Sequence, residues 1–405
     1  MAHLRRSIIV ASTTALVIGL TVSAASAQTS NFALFEGAVG PRNPGWTFTP
    51  SLTYQGAWDD NALLRGAGDQ APADFVSGVS PRLGVNFLGR RGEFDASYTG
   101  MFSLYRTLSG LNGYDQHGEI SARRLLTPRT TIWVRDNAIS VPTTELLNFV
   151  AVPFIRTGSK LNDLGSGIDI ALDKYTTFAA GYAFKWASFD NGADVQRLLL
   201  RGGHSHGVNA ALKRQLSETL SVVGDYSFQH ALLTDGGIWD VQSAEVGIEY
   251  RLTDVTRLSA GAGISHLVID DPAATRFGPT FRGALSHNFN RVIVDVSYGR
   301  SYVPGFGING TSQNDEFAAY ATTAIARRMS VRASAAWRAN DPVEAMGLRL
   351  KSTWLEAEFG YALQPWAHLE AYYSRSHQTI LAPAGVYDRN RVGFQIVTTK
   401  PVRIH

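Results

Sequence analysis

The sequence predicts an all-β chain, closed into a transmembrane antiparallel β-barrel of about 18 strands with short periplasmic turns and longer external loops. Three observations predict it. Long segments alternate apolar and polar residues, short polar turns recur at a nearly fixed interval, and an export leader is followed by no apolar stretch long enough for a spanning helix.

The leader comes first. His3, Leu4, Arg5 and Arg6 form a basic start, Ile8 to Val22 an apolar stretch, and Ala25-Ser26-Ala27 a small-x-small cleavage site. Residues 1–27 therefore read as a signal peptide, with 28–45 a periplasmic N-terminal segment and 46–405 the barrel. The competing reading is an uncleaved membrane anchor. Without the leader, 35 basic residues face 34 acidic ones, which gives no field for nucleic acid or an anionic surface. The 405 residues include no Cys, so disulfides, thiolate metal sites and a Cys nucleophile are excluded.

Period two begins after Gly45. From Trp46 to Trp58 the even positions are apolar, aromatic, Pro or Gly, and most odd ones are Thr, Ser or Gln. Side chains of a strand point alternately to its two faces, so this segment has one greasy and one wet face. At 13 residues it is long enough to cross a bilayer at a tilt. The same alternation recurs at 93–104, 244–252, 292–298 and 331–338, with charge on one parity and apolar bulk on the other. The parity breaks between Lys351 and Glu356, which predicts a β-bulge near Ser352–Trp354.

Eight short turns punctuate the strands, beginning at Gly89, Leu126, Asp173, Leu216, Thr253, Asn288, Ala326 and Leu363. Successive turns lie 35 to 47 residues apart, enough for two long strands and one longer connection. Counting both ends gives about 18 strands, with 16 as the alternative. Closure has a physical cause: hydrocarbon offers no water to satisfy a strand edge. A soluble β-helix or propeller is the competing architecture, but it needs neither strands this long nor an apolar exterior. A barrel of this size leaves an aqueous lumen unless something fills it.

One connection departs from the rhythm. Ala138 to Lys160 is long, with Pro142, Pro153 and an apolar middle. Folding it inward would bury Leu146, Leu147, Phe149 and Phe154, with Arg156 beside them, and narrow the pore. An external flap is the alternative. The wet parity carries both signs: Arg82, Glu93, Asp95, Glu119, Arg123, Asp169 and Lys185 in the first half, and Glu245, Glu249, Arg282, Asp295, Arg332, Arg349, Lys351 and Glu370 in the second. These are the lumen and selectivity candidates; most are expected to be solvated or paired across strands. Trp46, Trp58, Tyr98, Tyr182, Trp186, Trp337, Trp354, Trp366 and Tyr373 are girdle candidates, with sugar stacking the competing role.

Three short motifs are discounted. Gly203-His204-Ser205-His206-Gly207 matches G-x-S-x-G, but its flanks read as strand, not as the strand, turn and helix that a nucleophile needs. His204 and His206 share a face without an evident third ligand. Gly305 to Gly310 matches G-x-G-x-x-G in an external loop with no helix after it, and Asp59-Asp60-Asn61 reads as a turn before it reads as a Ca²⁺ site.

The first hairpins resemble the putative β-barrel porin type 2 family. The resemblance rests on Phe48-Thr49-Pro50-Ser51-Leu52, Trp58-Asp59-Asp60-Asn61, Asp74-Phe75 through Ser80-Pro81-Arg82-Leu83, and Ala96-Ser97-Tyr98, and is most specific over residues 46–105. It implies a Gram-negative outer-membrane location and a porin-like role; some relatives sit with exopolysaccharide genes. It supplies no catalytic residues. Outer-membrane barrels commonly finish on an aromatic residue, whereas this chain ends Lys400-Pro401-Val402-Arg403-Ile404-His405, so the last strand ends near Thr399 or the assembly signal is atypical.

The expectation is a non-enzymatic, cofactor-free and metal-free channel that passes hydrophilic solutes. Its partners would be outer-membrane lipid, the barrel-assembly machinery and, in a homo-oligomer, copies of itself, with no nucleic acid. The alternatives are a barrel for exopolysaccharide export or assembly and a barrel enzyme acting on lipid.

Overall fold

A computed structural model of the chain describes residues 44–66, 71–143, 155–190, 200–270, 273–304, 306–307, 311–343, 347–380 and 385–404. Apart from one 3₁₀ turn at Ser109–Leu111, the elements are strands. They are β1 (Gly45–Asp59), β2 (Asp74–Leu88), β3 (Gly92–Tyr105), β4 (Gly113–Thr127), β5 (Thr130–Val141), β6 (Ser159–Ala171), β7 (Thr176–Phe189), β8 (Gly203–Gln215) and β9 (Leu220–Leu233). There follow β10 (Ile238–Thr253), β11 (Thr256–Asp270), β12 (Ala273–Phe289), β13 (Val292–Pro304), β14 (Thr311–Ala326), β15 (Met329–Pro342), β16 (Leu350–Gln364), β17 (Ala367–Ile380), β18 (Gly385–Thr399) and β19 (Val402–Ile404).

Strands β1 to β18 each pair antiparallel with their sequence neighbours, β1 pairs with both β2 and β18, and β19 pairs with β1. The sheet therefore closes on itself and leaves no edge. β19 continues β18 past Lys400-Pro401 in the same register, since Ser51 opposes Thr399 and Phe48 opposes Val402. The wall thus has 18 staves, and the last one runs on beyond Thr399.

Following the register around the ring, one parity of every strand points inward and the other outward. The outward parity is apolar, with Leu52, Leu83, Phe102, Val208, Val246, Ile264, Phe277, Leu355 and Val392 among its exposed side chains. Such a surface is stable against lipid and unfavourable in water. At ~3.3 Å per residue and a tilt of about 40°, a 14-residue strand rises roughly 35 Å, more than the ~25 Å apolar band of such barrels.

The eight expected turns join β2–β3, β4–β5 and so on to β16–β17. The tightest suit their residues. Asn290, in the β12–β13 turn, has φ 53, a left-handed conformation that Asn tolerates. In the β6–β7 turn Asp173 accepts the Tyr175 N–H at 2.7 Å, and that bond holds its carboxyl below the usual carboxylate range. Pro81 and Pro279 sit inside strands at places where one ladder is open. Ser80 and Pro81 are skipped in the β2–β3 pairing, and the β12–β13 pairing starts only at Phe281.

The expected bulge at Ser352–Trp354 is absent. β16 runs in unbroken register against β15 and β17 from Leu350 to Tyr361, and its irregularity lies at Ala362–Gln364. Two placements change in consequence. Lys351 falls on the outward parity, not in the lumen, and Trp354 falls inward and is buried, not in a girdle. Arg349 precedes the strand and pairs with Asp341 at the external rim. The other girdle candidates are exposed, with Trp46 and Trp366 near the short-turn end and Trp58, Trp186 and Trp337 in the outer half of their strands, whereas Tyr98, Tyr182 and Tyr373 stand at mid-strand and not at an end.

Candidate functional site: the lumen and its external mouth

The inner face divides into three arcs. On β2–β7 it is open and carries both signs. His117 Nε2 lies 2.7 Å from Asn137 Oδ1 and 3.3 Å from Glu119 Oε1, and Arg82 stands in the same ring of register two strands away. Asn86 donates to Asp95. Arg123 opposes Glu93 and Trp133, and the Arg135 guanidinium lies 5.8 Å from the Trp133 ring. Lys185 and Asp163 pair at 3.5 Å, and Asp169, six residues farther along β6, is buried near Arg123 and Trp133. Glu119, Arg123 and Arg135 are exposed to the interior space.

On β8–β13 the charges are tied together across strands. Lys213 on β8 pairs with Glu249 on β10. Arg282 on β12 pairs with Glu245 on β10 at 3.3 Å and, bidentately, with Asp225 on β9. It reaches them by crossing β11 over Gly261, where an added Cβ would stand 2.8 Å from the Arg282 Nε. A glycine is needed there to let the guanidinium lie against the wall. Asp295 on β13 remains exposed.

The third arc, β14–β18 with β1, is polar but closely packed. Arg332 pairs with Glu358 at 3.5 Å and lies 5.7 Å from the Tyr320 ring. Arg338 pairs with Glu316 at 3.0 Å, Asn340 donates to Asn314 at 2.9 Å, and Gln395 donates to Glu370. Arg332, Glu356, Glu358, Glu370, Gln378 and Gln395 are all buried. The bridges here hold a wall rather than present charge to a passing solute.

At the long-loop end, connections fold inward and meet. Ile155 and Leu200 pack with Leu350, Ile380 and Tyr387, so the β5–β6 and β7–β8 connections touch the far wall. Arg156 donates through Nη2 to the Tyr105 hydroxyl at 2.6 Å and through Nε to the Ala62 carbonyl, with its guanidinium 4.9 Å from the Tyr105 ring. Arg201 and Gly307, from connections with six staves between them, exchange backbone hydrogen bonds of 3.0 and 2.9 Å. Gly307 has φ 125, a conformation that favours glycine, so it serves as a fixed bridge rather than a loose turn. Phe306 and Val343 close over Trp239, Val241, Leu267 and Ile269. The described residues of these loops thus meet in apolar contacts at the mouth. Leu146, Leu147, Phe149 and Phe154 lie outside the described residues.

The discounted motifs find other roles. Ser205 points inward and accepts from Gln229 at 3.0 Å, within a strand. His204 and His206 point outward, and His206 Nδ1 lies 2.7 Å from the Tyr182 hydroxyl. Asp59 is held bidentately by Arg389, with Arg391 at 3.8 Å, and Asp60 accepts both the backbone and side-chain N–H of Asn390. These carboxylates fasten β1 to β18 instead of framing a Ca²⁺ site. Sequence reasoning did not find this seam because its partners lie 330 residues apart. The available signal was the matching of Asp59-Asp60 near one end of the chain with Arg389-Asn390-Arg391 near the other.

No protein-family model matches the chain, and no curated protein matches it. The likeness of residues 46–105 to the type 2 family therefore stands on local pattern alone. Solved structures similar to the chain include Acinetobacter baumannii OccAB4, at TM-score 0.48 and 10% identity over 89% of this chain and 99% of that one. Pseudomonas aeruginosa OpdO gives 0.46 and 11% over 88% and 98%. Pseudomonas aeruginosa OpdK, crystallised with vanillate, gives 0.45 and 11% over 88% and 99%.

Proposed function

We propose that the chain is an outer-membrane channel through which small hydrophilic solutes diffuse passively into a Gram-negative cell. The observation that carries this is the closed cylinder itself, greasy outside, with solvent-exposed charges of both signs on the β2–β7 inner face. Residues 1–27 act as the export leader, 28–45 stay in the periplasm, and the barrel-assembly machinery inserts the rest. No step of bond making is required, so the function needs neither an enzyme's nucleophile nor a cofactor. The β5–β6 connection acts as the constriction, anchored by Arg156. The loops crowd the external mouth, where a growing polymer would need width, and this disfavours the polysaccharide-export reading.

Refolded mature chain in a planar bilayer tests the proposal. Stepwise ohmic conductance, with liposome swelling in small sugars, is the expected result. A folded barrel that passes no current and no sugar refutes it. Arg156→Ala frees the strap from Tyr105 and Ala62, so its single-channel current is expected to be larger and noisier. Deleting 142–156 should enlarge it further; unchanged conductance in both would remove the loop from the pore.

A further inference from the structure

On the outward parity, the outer halves of the adjacent strands β16 and β17 gather donors. Lys351 opposes Thr379, Thr353 opposes His377, and Leu355 opposes Arg375. Lys351 and Arg375 are exposed, the Arg375 side chain by 54%. One nearby acid, Asp388, lies within this row and offsets part of its charge, while two others are engaged by residues outside it. Asp388 accepts from His377 at 2.8 Å and stands 3.9 Å from Arg375, Asp60 is occupied by Asn390, and Asp341 by Arg349. Arg375 and Lys351 sit about 13 Å apart along the wall, with imidazole and hydroxyl donors between them.

Toward the short-turn end the outward side chains become small. Ala319 opposes Ala335, Ala321 opposes Ala333, and Ala333 opposes Ala357, so five alanines form a contiguous small-residue bed on the outward face of β14–β16. Phe317, Trp337, Leu355 and Phe359 border it. A row of cationic and neutral donors above a shallow apolar bed matches a molecule with a phosphorylated head and acyl chains.

We infer that the outward face of β14–β17 holds one phosphorylated lipid of the outer leaflet, its phosphate on Lys351, His377 and Arg375 and an acyl chain over Ala333, Ala335 and Ala357. This rests on the membrane reading above but not on conduction. The test uses refolded mature chain in phosphatidylcholine nanodiscs doped with bisphosphorylated lipid A, or with the same lipid after enzymatic dephosphorylation. Lipid retained by the protein is counted by native mass spectrometry. The intact protein should retain the phosphorylated form preferentially. Lys351→Gln with Arg375→Gln should abolish that preference, at about fivefold loss per charge removed. Ala333→Leu with Ala357→Leu should lower retention of both forms. Lys160→Gln, a cation on the same parity of β6, should change neither. Equal retention of the two lipids, or unchanged retention in the charge variant, overturns the inference. So does saturation by inorganic phosphate alone with no lipid retained. Failure to enter nanodiscs at all would instead refute the membrane reading.

Discussion

At the scale of single residues, the seam between the first and last staves depends on one carboxylate. Asp59 is fully buried, and it holds Arg389, itself 4% exposed, together with Arg391. Removing one member of a buried pair costs more than never having made it, because the other charge keeps its desolvation penalty. Asp59→Ala is therefore expected to destabilise the barrel by about 3–5 kcal/mol, read as a lower urea midpoint of the protein in lipid vesicles. Replacing both partners with apolar residues, as in Asp59→Leu with Arg389→Met, should recover much of that loss. A double variant as unstable as the sum of the singles would mean that the pair contributes no coupling across the seam. The loop beyond β3 leans on a similar anchor. Asp74 accepts the Leu108 N–H at 2.8 Å and the Thr107 N–H at 3.0 Å.

Among the elements, β10 shows most plainly what the outward parity is for. Val246 lies mid-strand, 64% exposed, with Ala244 and Ile248 on the same face. Val246→Arg should cost about 2–4 kcal/mol, while a like change at the rim costs near nothing. A folded-state stability unchanged by Val246→Arg would place that face in water. This face was legible in the sequence, because the alternation from 244 to 252 needs no partner to be read. The turns were legible too, since Asn290 tolerates a left-handed φ and Asp173 accepts the Tyr175 N–H within its own turn. β16 was not. Lys351 looked like a lumen charge because parity was extended from Arg349, yet the register with β15 and β17 runs straight through Trp354. Near the rim, outward positions leave the hydrocarbon and accept charge, so polarity stops reporting on which way a side chain points. The Arg201–Gly307 bridge was unreadable for a different reason: it joins loops whose meeting depends on the whole cylinder.

Over the whole molecule, the same residue types do different work on different arcs of the wall. Net charge near zero says nothing about this, because selectivity depends on charges that meet the solution, not on those consumed in bridges. Arg332 and Arg338 sit in the packed arc beside Glu358 and Glu316. Arg282 is tied to Asp225 and Glu245. Arg123 and Arg135 are the exposed cations of the open arc, one strand apart with Trp133 between them in register. Neutralising this second pair should therefore shift ion preference, whereas neutralising a bridged arginine should mainly cost stability. With Arg123→Gln and Arg135→Gln together, the reversal potential in a KCl gradient is expected to move toward cation selectivity while the urea midpoint stays close to that of the unaltered protein. Arg338→Gln should do the opposite, lowering the midpoint because the half-buried Glu316 loses its 3.0 Å partner and leaving the reversal potential nearly in place. If Arg338→Gln shifted the potential as far as the double variant, current would run along the packed arc as well, and the division of the lumen into a conducting side and a structural side would be wrong.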